Sequence, residues 1–201
     1  MMRAVSAILC GAAALFAASA FAEGLTVTDA MDRAVGFAQP PERIAIAGKA
    51  SFMVADAVYL FPEARTRVVA RSAGAFSRQG AGDFLARFAS GQAVPVELAG
   101  NAGVEPVAAA KPDVVLLKSS NARLGGELER IGIPVVYLDF ETPEQYRRDL
   151  AVLGCLLNAQ GRARELISYF SRVSDSVRDA TARLDPAKRP RTLLLQYSER
   201  G

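Results

Sequence analysis

Val104-Glu-Pro-Val-Ala-Ala-Ala-Lys-Pro-Asp-Val-Val-Leu-Leu-Lys-Ser-Ser-Asn-Ala-Arg-Leu-Gly-Gly-Glu-Leu-Glu-Arg-Ile-Gly-Ile-Pro-Val-Val-Tyr-Leu138 decides the fold. Val104–Ala110 reads as a short helix and Asp113–Leu117 as an apolar run of strand length. Ala122–Ile131 reads as a second helix, and Pro134–Leu138 as a second apolar run. Short runs that are apolar throughout, rather than alternating, are what strands need when a sheet is covered on both faces. Alternation of such strands with helices specifies an α/β fold with a parallel sheet. The same rhythm extends towards the N-terminus. Val94–Leu98 is a strand candidate, Arg67–Ala70 is another with a short helix near Asp83–Phe88 after it, and Arg43–Ala47 leads into a helix over Ser51–Leu60. Ahead of these, Leu25–Thr28 and Ala34–Phe37 flank Asp29–Arg33 as a small hairpin that Pro40-Pro41 ends.

Towards the C-terminus the pattern changes. Thr142-Pro-Glu-Gln145 combines an N-cap Thr, Pro at the first helical position and Gln at the third, a capping box. Tyr146, Leu150, Leu153 and Leu157 follow on one face at helical spacing. After a break near 158–161, Ala163, Leu166, Ile167, Phe170, Val173 and Val177 continue a second apolar stripe to about Leu184. That predicts a helix of roughly six turns. Asp185-Pro186 and Arg189-Pro190 stop it, and Thr192–Tyr197 starts a new strand, read as the first of a second lobe that the sequence does not contain. The expected organisation is a signal peptide over 1–22, an α/β ligand-binding lobe over 23–141, a helical segment with a long interlobe helix over 142–185, and the start of a second lobe over 186–201.

Composition narrows the chemistry. The chain has 201 residues, 51% of them hydrophobic and 22% charged, with a formal net charge of +3, which is ordinary globular composition. So weak an excess of positive charge is no nucleic-acid footprint. Met1-Met2-Arg3, an Ala-rich apolar run to Phe21 and the A-x-A site Ala20-Phe21-Ala22 form a cleavable export signal, which predicts a periplasmic protein. Cys10 lies inside that run without small residues before it, which argues against lipidation. Cleavage leaves Cys155 as the one thiol, so no internal disulfide forms. There is no His, which removes Ser-His-Asp and Cys-His nucleophile systems and any His-ligated zinc or haem. Cys155 sits in an apolar helical run as an inert core thiol. No residue pattern signals an enzyme, and no cofactor is expected.

In a parallel α/β sheet, ligands lie beyond the carboxyl ends of the strands. The candidate ligand residues are therefore Lys49, Ala50 and Ser51 after the first sheet strand, and Arg71, Arg78 and Gln79 after the second. Asn101 follows the third, and Lys118 and Ser119 follow the fourth. Lys49, Arg71, Arg78 and Lys118 predict a basic rim suited to an anionic chelate or oxyanion. Of the five tyrosines, Tyr197 ends its strand and is the cleft candidate. Core packing is the expectation for Tyr59, Tyr137, Tyr146 and Tyr169. Asp139 and Phe140 lead straight into the capped helix and are given structural roles.

Several stretches together resemble one family. They are Val27-Thr-Asp-Ala30 and Pro40-Pro-Glu-Arg-Ile44, then Glu105-Pro-Val-Ala-Ala-Ala-Lys-Pro-Asp-Val-Val115. Gly132-Ile-Pro-Val-Val136, Thr142-Pro-Glu-Gln145 and Arg191-Thr-Leu-Leu-Leu-Gln-Tyr197 complete the set. In order and spacing this resembles the substrate-binding proteins of bacterial ABC importers for ferric siderophores, cobalamin and haem. The resemblance implies two α/β lobes joined by a stiff helix, closing on a metal chelate between them. It implies delivery to an ABC permease with its ATPase, with Glu105 docking on the permease, and membrane contact only through that permease. A small oxyanion such as molybdate, or haem, is the alternative ligand.

Two other classes compete. Ala47-Gly-Lys-Ala-Ser51 after a strand resembles part of a phosphate loop, which would make the chain a nucleotide-binding enzyme. The upstream Gly is absent, and Ala separates Lys from Ser. A secreted single-lobe interaction module is the other, its terminal strand Leu193–Tyr197 pairing with another chain.

Overall fold

A computed structural model describes residues 24–72, 96–185, 187 and 190–193. The hairpin forms as expected: β1 (Leu25–Thr28) and β2 (Ala34–Phe37) pair antiparallel. Next come β3 (Ile44–Ile46), α1 (Ser51–Val58), α2 (Ala64–Arg67), β4 (Val68–Ser72) and β5 (Val96–Leu98). They are followed by α3 (Val104–Ala109), β6 (Val114–Leu117), α4 (Ala122–Arg130), β7 (Val135–Tyr137), α5 (Pro143–Leu156) and α6 (Gln160–Ala182). The helix expected over Asp83–Phe88 lies outside the described residues, as do the signal peptide and most of the strand expected over Thr192–Tyr197.

Strands β3 to β7 form one five-stranded sheet in the order β5-β4-β3-β6-β7, every neighbouring pair parallel. The chain runs outward from β3 through β4 to β5, then returns to the other side of β3 for β6 and β7. The direction of winding therefore reverses between β3 and β6. Alternation along the strands divides the core. Ile44, Ile46, Val114, Leu116, Val136 and Leu138 face α1, α5 and the first turn of α6. Ala45, Ala47, Val115, Leu117, Val135 and Tyr137 face the opposite way, towards α3 and α4. The sheet is thus covered on both faces, which is why its central strands read as unbroken apolar runs.

Three local devices set the frame. At α5 the capping box is complete: Thr142 Oγ1 accepts from Gln145 N–H at 3.2 Å, and Gln145 Oε1 accepts from Thr142 N–H at 3.1 Å. Asp149, fully buried on α5, accepts from the N–H groups of Asp139 (2.7 Å) and Phe140 (3.0 Å). This anchors the segment after β7, where Phe140 adopts a left-handed φ of 55°. At the hairpin turn Asp29 is fully buried. Its carboxylate accepts from Met31 N–H and from the Arg33 guanidinium, while Ala30 N–H donates to Tyr137 O. The Arg33 guanidinium lies 4.4 Å from the Tyr137 ring centre, and the turn thereby covers the β7 edge.

Gly125 explains how α4 reaches the sheet, because a Cβ there would sit 1.9 Å from the Tyr137 hydroxyl. The break after α5 is closed by Asn158 in the left-handed region, with Ala159 N–H donating to Gly154 O at 2.7 Å. The long helix departs from expectation in one respect. Ala163, Leu166 and Ile167 pack on the core as read, but further along the stripe is exposed. Tyr169 is 63% exposed and not a core residue, and Val173 and Val177 are exposed as well. Alpha-helical spacing places them on a face correctly, but α6 runs on past the last residues that α5 and the sheet supply as partners. Among the described residues no helix is long and apolar enough to cross a membrane.

Candidate ligand-binding site

The reversal of winding between β3 and β6 leaves their two following loops side by side, and Asn121 joins them. Its Oδ1 accepts from Lys49 N–H at 2.8 Å, and its Nδ2 donates to Lys49 O at 3.1 Å. One side chain thereby continues the β3–β6 ladder past the strand ends, after Ala47 N–H has donated to Leu116 O. Gly48 is needed for this approach. Its φ is +81°, and a Cβ would lie 2.7 Å from the Asn121 side-chain carbon. Ala50, next along, is also left-handed (φ 56°) and begins α1 without a side-chain cap.

Beside this clamp is a cavity of about 460 Å³, beyond the carboxyl ends of β3, β5 and β6. The β3 loop contributes Gly48 and Lys49, the β5 loop Gly100 to Gly103, and the β6 loop Ser120 and Asn121. Arg123, Leu124 and Glu127 line it from α4. Arg123 and Glu127 are paired at 3.1 Å, one turn apart. The Lys49 backbone is fixed at both its N–H and its C=O, while the residue is exposed. Asn101 is exposed on the opposite loop.

The residues expected at the strand ends divide into groups. Lys49 and Asn101 line the cavity together, and Ala50 adjoins it. Ser51 is buried in the first turn of α1. Lys118 is also buried. Its ammonium donates to Asp139 O at 3.0 Å, contacts Met53 Sδ at 3.5 Å and pairs with the Glu141 carboxylate. Ser119 donates through N–H and Oγ to Asp139 Oδ1, at 3.1 and 2.8 Å. Lys118 and Ser119 thus fasten the loop after β7. Arg71 lies on the other face of the sheet from the cavity, where it hydrogen-bonds Tyr59. Burial pushes the Asp56 carboxyl up from its ordinary pKa, with Arg71 pulling it back. Among the described residues, Lys49 is the one of the expected rim cations that lines the cavity, where Arg123 is ion-paired with Glu127. Arg78, Gln79 and Tyr197 lie outside the described residues. Glu105 is exposed in the first turn of α3, two residues past the cavity-lining Gly103.

Sequence reading placed Ser120 in a candidate ligand loop, where it lines the cavity, and missed Asn121 and Arg123. The signal for Asn121 was its place after a β6 loop opposite a positive-φ Gly, legible only once β3 and β6 are known to be neighbours. Among the described residues no three Cys, Asp or Glu side chains are grouped to hold a metal ion.

A family model described as periplasmic binding protein matches residues 51–201, most of the chain. Its members are binding proteins rather than enzymes, and the family is periplasmic. Among curated proteins, none matches the sequence. Solved structures share the fold. The TroA-like periplasmic binding protein FepB from Veillonella parvula superposes with a TM-score of 0.66 at 17% identity, covering 83% of this chain and 51% of that one. The molybdate-bound periplasmic protein MolA from Haemophilus influenzae gives 0.61 at 17% identity, with 82% and 56% covered. The siderophore-binding protein BauB, bound to ferric iron and two acinetobactin molecules, gives 0.59 at 18% identity, with 81% and 55% covered. The chain spans about half the length of the structures it matches.

Proposed function

Since this chain belongs to the periplasmic binding protein family, we propose that it captures a metal chelate, of the ferric siderophore type, for an ABC importer. The observation that carries the reading is the cavity at the reversal of winding between β3 and β6. There, loops from three strand ends converge around a cation whose backbone is immobilised. Open α/β sheets bind ligands at such crossings. Export follows cleavage after Ala22, and the partner is a permease with its ATPase, on which exposed Glu105 docks. Ala50 adjoins the site and Ser51, Lys118 and Ser119 hold the loops around it, while Arg78, Gln79 and Tyr197 are proposed as further ligand contacts.

Uptake of radioactive iron supplied as ferric siderophore, measured in a strain deleted for the gene, tests this. Uptake falls on deletion and is restored by the wild-type gene, and restoration fails with Glu105→Lys. Intact iron uptake together with lost molybdate uptake transfers the reading to an oxyanion. Loss of neither overturns the importer role.

A further inference from the structure

The charges around the cavity restrict what it can hold. Arg123 and Glu127 cancel as a pair, at 3.1 Å. Lys118 is turned inward and neutralised by Glu141. Among the described residues this leaves Lys49 as the one lining cation without an ion-pair partner. Its backbone is clamped by Asn121, so the ammonium is offered from a fixed point rather than from a loose loop. Asn101 on the β5 loop and Ser120 on the β6 loop also line the cavity, uncharged residues able to donate to further oxygens.

Size adds a second constraint. About 460 Å³ falls within the roughly 300–1,000 Å³ of sites that enclose organic ligands, and a bare tetrahedral oxyanion would leave most of it empty. Leu124 and Ala102 supply apolar lining. Among the described residues a doubly charged oxyanion would face one unpaired ammonium, the Arg123–Glu127 pair adding no net charge, which leaves part of its own charge uncompensated.

We propose that this cavity takes an organic ligand presenting a single anionic group, carboxylate in type, to Lys49, with the body of the molecule against Leu124. The inference rests on the ligand-capture reading above and specifies its chemistry. It separates an organic anion, free or as the arm of a chelate, from a small inorganic oxyanion.

The test is an amide-resolved NMR titration of the full chain with salicylate, its neutral isostere salicylamide, and molybdate. Salicylate is expected to shift the Lys49, Asn101 and Asn121 amides saturably. Salicylamide should bind more weakly by on the order of tenfold, the worth of one charge-assisted contact. Lys49→Gln should weaken salicylate by a similar factor and Lys49→Arg should largely retain it. Because the Lys49 side chain has no partner among the described residues, both variants are expected to keep the wild-type spectrum elsewhere. Equal binding of salicylamide, or indifference to Lys49→Gln, overturns the proposal. Saturable molybdate binding that depends on Lys49 keeps the site but overturns the ligand class. If no probe moves these amides, ligand capture at this cavity fails as well.

Discussion

Removing the Asn121 side chain leaves the Lys49 N–H and C=O without protein partners while changing no charge. We expect Asn121→Ala to cost about 1 kcal/mol, the ordinary worth of a hydrogen bond near solvent. Amide exchange at Lys49 should accelerate far more than exchange within β3, and unchanged exchange there would refute the clamp. Asp29 gives a sharper result. Burial alone would raise its pKa, but the Arg33 guanidinium and the N–H donors of Arg33, Met31 and Tyr137 hold it below the usual value. A depressed carboxyl pKa contributes stability that is complete above the unfolded-state value and is lost as pH falls through the folded-state value. Urea unfolding should therefore show stability declining in acid, below about pH 4. In Asp29→Asn that part of the decline is absent, and stability at neutral pH falls by about 1–2 kcal/mol, because the charge-assisted bond to the half-buried Arg33 is lost while Arg33 keeps Glu129. Residue roles of this kind were the least legible part of the sequence. Lys118 looks like any lysine that follows a strand, and its burial depends on Glu141 and Met53, which the fold brings in from the segment after β7 and from α1. Asn121 depends likewise on a partner 72 residues away.

Elements were far more legible, for a physical reason. Strands buried on both faces must be apolar at every position, so β3, β6 and β7 could be read from composition alone. The α5 start was legible because a capping box is a local pattern whose partners lie three residues apart. We expect Thr142→Ala to cost about 1 kcal/mol in thermal or chemical unfolding. What the sequence conceals is how closely elements approach. Gly125 stands in an ordinary-looking helical run, yet α4 packs on β7 only because no Cβ stands between its backbone and the Tyr137 hydroxyl. Gly125→Ala should destabilise by about 1–3 kcal/mol through overpacking, although Ala is the better helix former. Adding Tyr137→Phe should recover only part of that, since the ring carbon would still be 2.7 Å from the new methyl. Full recovery in the double variant would show that the hydroxyl alone sets the spacing.

At the scale of the molecule, the long helix divides into two halves with different duties. Leu166 and Ile167 belong to the core, whereas Val173 and Val177 are exposed on the same stripe. In this chain Val173→Lys should change stability by no more than about 0.5 kcal/mol, as for other exposed positions. Leu150→Ala, in the fully buried interior of α5, should cost about 2–5 kcal/mol. Equal losses would mean that the outer half of the helix is covered in solution. The periodicity reads both halves identically, because it reports which residues share a face and not whether anything is opposite.

The bond between Asn121 and the Lys49 backbone also bears on the order of events in folding. The two loops it joins belong to opposite arms of the chain's winding, and they meet only after β3 has paired with β6 across the segment carrying β4 and β5. Contacts of such long range carry a loop-closure cost and tend to form late. An anion that binds as proposed is therefore expected to leave the folding rate unchanged and to act by slowing unfolding. Refolding with and without salicylate should then show equal folding rates and a slower unfolding rate when the proposed site is filled.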